Sequence, residues 1–228
     1  ARWSSAGFGP VPLAAFVGAL AAVALVYAVA EAGGHTPVVA LLLAGAAVST
    51  FLSAVVSLLM LLNDRDLLEV FAWLAGGLGG RSWPHVRASA PYLLAGLFVL
   101  TLVARPLDAL ASGEETAQSL GLPLARARAC VVAAATLVAA AAVAAGGIIG
   151  FVGLIAPHAA RMLFGADHHR VIPASALLGG WLLLLADTGA RTVLAPIELP
   201  VGVVTALLGG PFFLYLLRSR RQELGAGR

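Results

Sequence analysis

Two stretches near the start of this chain, residues 11–30 and 37–62, contain no charged side chain. A helix rises about 1.5 Å per residue and the hydrocarbon core of a bilayer is about 30 Å thick, so about 20 such residues suffice to cross it. In water, runs of this kind would need a large polar shell to bury them. Only 11% of the residues are charged and 61% are hydrophobic, whereas a soluble domain carries roughly 25% and 45–50%. Too little polar surface remains to cover a globule. The sequence therefore predicts an integral membrane protein folded as an all-α, polytopic transmembrane helix bundle. Open sheets would leave edge groups unpaired in lipid, and the period-2 alternation of a membrane barrel is absent. Intrinsic disorder and a disulfide scaffold are excluded as well, because the chain lacks charge for the first and has one cysteine, Cys130.

About seven spans can be drawn: 11–30, 37–62, a short one at 90–104, two within 127–164, then 171–187 and 199–217. The run 127–164 is too long for one span, and glycines 146 and 147 mark where two helices meet. An odd number of spans puts the termini on opposite sides. With the C-terminus cytoplasmic, the inside segments hold nine arginines, among them Arg105, Arg126, Arg128, Arg161, Arg170 and the tail Arg218, Arg220 and Arg221; the outside segments hold five, Arg2, Arg65, Arg81, Arg87 and Arg191. The positive-inside rule favours that orientation. The arginines lie scattered between apolar runs, so the net charge of +3 reflects topology and does not point to nucleic acid. Residue 1 is alanine and no signal-like segment precedes the first span. The chain is accordingly expected to be a fragment or a trimmed form of a longer protein.

Three connections are longer than turns. Residues 63–87 form an outside segment with Trp73 and Trp83 suited to the headgroup interface. Residues 105–128 form the most polar segment of the chain. In it Ser112 and Glu115 stand three apart, in capping-box spacing, ahead of a Gly121 stop, which predicts one short helix outside the bilayer. Residues 189–200 hold Arg191, Glu198 and two prolines.

Ionisable groups at mid-membrane, the mark of proton-coupled transport or chemistry, are almost missing. Asp187 and Arg191 share a helix face four residues apart; a local ion pair and a functional role both fit. His158 fits a packing residue better than a ligand. His168 and His169 have only Asp167 nearby, so no metal site is expected. No nucleophile elbow, zinc-protease helix or phosphate-binding loop occurs, and the chain is expected not to be an enzyme. Ser49, Ser53 and Ser57, with Thr50 beside them, place hydroxyls on one helix face. Close helix approach and a weakly polar wall of a translocation path both account for that stripe.

Seven segments carry a resemblance. They are LLLAGAAVSTFLSAV (41–55), WLAGGLGGRSW (73–83), SGEETAQSLGLP (112–123), GFVGLIAPHAAR (150–161), DHHR (167–170), ADTGAR (186–191) and ELPVGVVTALLGGPFF (198–213). In this order they strongly resemble the FecCD family of ABC-importer permeases, which take up ferric siderophores, haem or vitamin B12. The resemblance covers essentially the whole chain, residues 1–228 as one permease domain, and implies about seven spans of a ten-helix family fold with the first three helices missing.

What the resemblance implies is an inner-membrane, multi-pass permease of bacteria that forms a homodimer in membrane lipid. It would be driven by a separate ABC ATPase dimer that holds the ATP and magnesium, with no cofactor on this chain. Substrate would arrive from an extracytoplasmic substrate-binding protein. Residues 107–125 match the cytoplasmic coupling loop, with Ala111, Ser112, Gly113, Glu114, Glu115, Ala117, Leu120 and Gly121 as the ATPase contact. Arg191, held by Asp187, matches a docking arginine for the binding protein. Ser49, Thr50, Ser53 and Ser57 match the helix lining the path, with Gly33 and Gly34 at its inner mouth as a gate. The alternatives are an ion-coupled carrier or channel without an ATPase, which would require mid-membrane carboxylates, and a membrane scaffold without transport.

Overall fold

The structure is a computed structural model that describes residues 10–31, 38–62, 67–119, 121, 123–193 and 198–225. Among them ten helices follow one another: α1 (Pro10–Glu31), α2 (Val38–Leu62), α3 (Leu67–Leu74), α4 (Trp83–Leu102), α5 (Ala104–Ala111), α6 (Glu114–Ser119), α7 (Leu124–Gly146), α8 (Val152–Phe164), α9 (His168–Thr192) and α10 (Val201–Gly225). Leu120 and the glycines proposed as a gate, Gly33 and Gly34, lie outside the described residues.

Five helices, α1, α2, α4, α7 and α9, are long and apolar enough to cross a membrane, and α8 and α10 carry shorter apolar stretches. The expected spans are therefore recognisable; α9 and α10 run past the expected 171–187 and 199–217, and two further differences in bounds have a local cause. The third starts at Trp83, because Pro84 in its first turn needs no hydrogen-bond acceptor and the polar His85 and Arg87 fall near its exposed start. Counting apolar residues alone had cut off its first two turns.

The second difference concerns the fifth span. α7 ends at Gly146, as the glycines predict, yet α8 begins only at Val152 and has 13 residues, about 20 Å of helix. Residues 147–151 make up the difference as non-helical chain between the two helices. Gly147 has φ +73° and Phe151, which precedes α8, has φ +65°. A phenylalanine with positive φ is strained. Its ring lies over Gly209 of α10, where any Cβ would overlap it.

Small residues carry the helix contacts. Ala140, Ala141, Ala160 and Ala190 are completely buried, Gly96 of α4 admits the side chain of Val138 on α7, and Gly179 of α9 faces Val152 and Ala156 of α8. Large apolar side chains such as Leu61, Phe51, Met162 and Leu177 point outward. This is the inverse of a soluble fold, and it suits helices that approach closely while lipid covers the rest. Among the described residues, α1 alone packs extensively against α2, and many α2 side chains are exposed.

Candidate functional site

The candidate side chains gather at the two ends of α9 and along α2. At the C-terminal end of α9, the chain folds into a junction built from backbone. The Gly77 N–H donates to the Gly146 carbonyl at 2.8 Å, and the Gly202 N–H donates to the Gly76 carbonyl at 3.1 Å. A Cβ on Gly76 or Gly202 would overlap the carbonyl oxygens of Ile148 or Ala75, and one on Gly147 would overlap that of Trp73. Three glycines thus let the end of α3, the α7–α8 link and the start of α10 meet at backbone distance.

Beside this junction is a cavity of about 570 Å³, lined in part by Trp73, Arg81, Asp187, Arg191 and Glu198. The Asp187 carboxylate accepts from Arg191 Nε at 2.8 Å and from Nη2 at 3.2 Å. The four-residue spacing on α9 predicts that fork, and the planar guanidinium fits it. Arg81 contributes a guanidinium whose buried Nε has no hydrogen-bond partner. Sequence reading counted Arg81 only as an outside charge; nothing local marked it as a cavity residue.

Along α2, Ser49, Ser53 and Ser57 line one cavity of about 630 Å³ with Val23 and Val26 of α1, Leu74 and Ile148. The three serines thus face one cavity together. Thr50 is not part of that lining; its hydroxyl donates to the Ala46 carbonyl of its own helix at 2.8 Å.

At the N-terminal end of α9, residues 104–119 fold as two short helices, where one was expected. Ser112 does not cap the second. Its hydroxyl donates back to the Asp108 carbonyl at 3.0 Å, so it closes α5, while the Gly113 carbonyl accepts from the Ala117 N–H at 3.0 Å and opens α6. The reason is Gly113 itself, whose φ of +111° ends α5 in a conformation that Ser112 or Glu114 would adopt only under strain. Gly121, at φ +73°, supplies the expected stop. Ala111 and Ser112 are exposed and Ala117 is fully buried. Glu114 and Glu115 sit in the first turn of α6.

Asp108 of α5 reaches across to α9. Its Oδ1 accepts from the His168 backbone N–H at 3.1 Å and from the ring nitrogen Nδ1 of the same residue. Partial burial pushes the Asp108 carboxyl up, but the hydrogen bonds from the ring and backbone of His168 outweigh that and hold it below its ordinary value. A carboxylate only accepts, so Nδ1 is the protonated nitrogen. Asp167 accepts from the His169 N–H at 2.9 Å. Both open N–H groups at the start of α9 are therefore satisfied by carboxylates, which also suit the positive end of the helix. DHHR was legible as a motif; its partner stands 60 residues upstream and was not. His158 packs edge-on against Phe212, in keeping with a packing role.

Residues 2–219 match the FecCD transport family. The chain belongs to that family. Among its curated FecCD relatives, it is 49% identical over 207 residues to the cobalamin import system permease protein BtuC of Halobacterium salinarum, covering 91% of this chain and 56% of that protein. It is 40% identical over 213 residues to the hemin transport system permease protein HmuU of Yersinia pestis, covering 92% and 64%. A solved structure described as an inward-facing conformation of a metal-chelate type ABC transporter superposes with a TM-score of 0.80 at 31% identity, covering 93% of this chain and 72% of that one. The chain spans between about half and two thirds of the length of these curated FecCD relatives. The multi-pass helical fold expected from the apolar runs is thus the fold of FecCD permeases.

Proposed function

We propose that this chain is the transmembrane permease subunit of an ATP-binding-cassette importer. It moves a metal chelate of the iron-siderophore type, or a haem or corrinoid, across the inner membrane by alternating access. ATP hydrolysis belongs to a separate ATPase dimer, and a second copy of the permease completes the pathway. The observation that carries this reading is the pair α5 and α6. They form a helical elbow at one end of a bundle whose other end has a charged cavity, and Gly113 and Gly121 bound α6 at positive φ.

The elbow would sit in the cytoplasmic ATPase, where Glu114 and Glu115 can meet arginines of the partner. Residues 107–125 then carry the stroke, and Ala111, Ser112, Gly113 and Gly121 give it a surface that can be approached closely. At the opposite end, Arg191, oriented by Asp187, and Arg81 would meet acidic side chains of an extracytoplasmic binding protein, steering it into register. The groove of Ser49, Ser53 and Ser57 would form part of the path between two permease copies. Gly33 and Gly34 would let its inner mouth flex. This orientation puts the C-terminus in the cytoplasm, as the arginine distribution favours.

The described acidic side chains, Asp108, Asp167, Asp187 and Glu198, all sit at the two ends of the bundle. An ion-coupled carrier would need such groups midway, and nothing favours that reading. The test is the full-length permease reconstituted with its ATPase and binding protein in liposomes. ATP-dependent uptake of a ferric siderophore, haem or cobalamin supports the reading; uptake that ignores ATP and follows membrane potential contradicts it.

A further inference from the structure

A bundle driven from one end needs a joint between the driven element and the helices that move. Among the described residues, α5 is joined to α9 by two side-chain hydrogen bonds, both made by Asp108 to His168. Their position matters because Pro173, in the second turn of α9, has no N–H to offer the His169 carbonyl. The helical ladder is thus interrupted just after the first turn. That turn is held from outside instead, by Asp167 at His169 and by Asp108 at His168. Residues 168 to 191 span about 35 Å of helix, from the Asp108 contact to the Asp187–Arg191 pair.

We propose that Asp108 is a positioning residue that joins the α5–α6 elbow to α9, so that displacement of the elbow moves α9 and the face bearing Arg191. The proposal rests on the coupling role of α5 and α6 given above. Asp108 accepts two N–H groups of one residue with a single oxygen, a connection that resists both sliding and rotation of α5 against the start of α9. An exposed ion pair between two side chains would yield to either. A cavity of about 520 Å³ beside the joint, lined by Ala111, Ser112, Arg161 and Asp167 among others, gives α5 room to shift while the joint stays closed.

The test uses full-length permease with its ATPase and binding protein in proteoliposomes, and reads ATP hydrolysed per substrate molecule taken up. Asp108→Ala should raise that ratio roughly tenfold, the scale of a typical coupling between sites. Asp108→Asn keeps an oxygen that accepts both N–H groups and should stay within about threefold of wild type. His168→Ala keeps the backbone hydrogen bond alone and should fall between them. An unchanged ratio in Asp108→Ala overturns the proposal, as does an Asp108→Asn variant uncoupled to the same degree. If Asp108→Ala does not assemble, a wild-type ratio in His168→Ala overturns it. Gly121→Trp in the same background separates the two levels: if it too transports normally, the coupling role of the elbow fails; if it alone is inactive, only the joint fails.

Discussion

The two ends of α9 lie against different chemistry. Around its C-terminal end, α3, the α7–α8 link and α10 meet through backbone hydrogen bonds at Gly76, Gly77, Gly146 and Gly202, and Gly76, Gly147 and Gly202 leave no room for a Cβ. At its N-terminal end, the contact to α5 is made by one carboxylate and one histidine. A backbone junction has one geometry and is lost if any member is displaced. A side-chain clasp fixes its two elements to each other while leaving them free of the backbone network. The comparison separates an end built as a platform from an end that, on the proposal above, moves as a unit with the elbow.

The strongest challenge to that contrast is Gly202→Val. A side chain there meets the Ala75 and Ile148 carbonyls, which cannot rotate away, and overpacking of this kind costs about 3 kcal/mol. Little folded protein should survive extraction, measured as monodisperse yield and melting temperature of the full-length permease. Gly189→Ala, on α9 with nothing within 4 Å of the added Cβ, should change stability by no more than about 0.5 kcal/mol. Equal behaviour of the two variants would mean that the junction is not a rigid platform.

Next comes the elbow. Glu114→Arg combined with Gly121→Trp should reduce ATP-driven uptake to background while membrane insertion is retained. Gly121 has open space around its Cβ position, so the tryptophan meets a partner before it meets the bundle; its φ of +73° strains any other residue, so a fall in melting temperature, worth about 1 kcal/mol in stability, is expected beside the loss of uptake. A smaller effect is expected at the charged cavity. Arg191→Ala and Arg81→Ala should each weaken binding-protein capture roughly three- to tenfold at low salt and less at high salt, read by surface binding at two ionic strengths.

The smallest effect concerns pH. The Asp108 carboxyl is held below its ordinary value, so its contribution is complete above the unfolded carboxylate's value of about 3.9 and is lost as pH falls through the folded value. Wild type should therefore lose melting temperature more steeply than Asp108→Asn below about pH 4, and both should run parallel from pH 5 to 8 on account of this group.

Much of this architecture was legible in the sequence because lipid imposes a simple rule. The apolar runs located the spans, the glycines at 146 and 147 located the break, and the four-residue spacing located the Asp187–Arg191 pair. What stayed hidden depends on distance along the chain. Asp108 and His168 are 60 residues apart, and neither carries a local sign of the other. The hydroxyl of Ser112 had two partners within reach, a carbonyl that accepts from it in the turn behind and an N–H that donates to it in the turn ahead; the positive φ of Gly113 decided for the one behind. The span of α8 was misjudged in kind, since apolar residues 148–151 read as helix until Phe151 is seen in the left-handed region against Gly209. Arg81 lacked any periodic partner, so its place in the cavity follows only from the fold.

The central claim is that one end of α9 faces the motor and the other faces the binding protein. Single cysteines at Ser112 and Thr192, placed in a full-length Cys130→Ala background and treated with a membrane-impermeant maleimide, test it most directly. The account predicts that position 192 is labelled in intact cells, and that position 112 is labelled only after permeabilisation and is protected when the ATPase is co-expressed. Labelling of position 112 from outside, or its indifference to the ATPase, would contradict it.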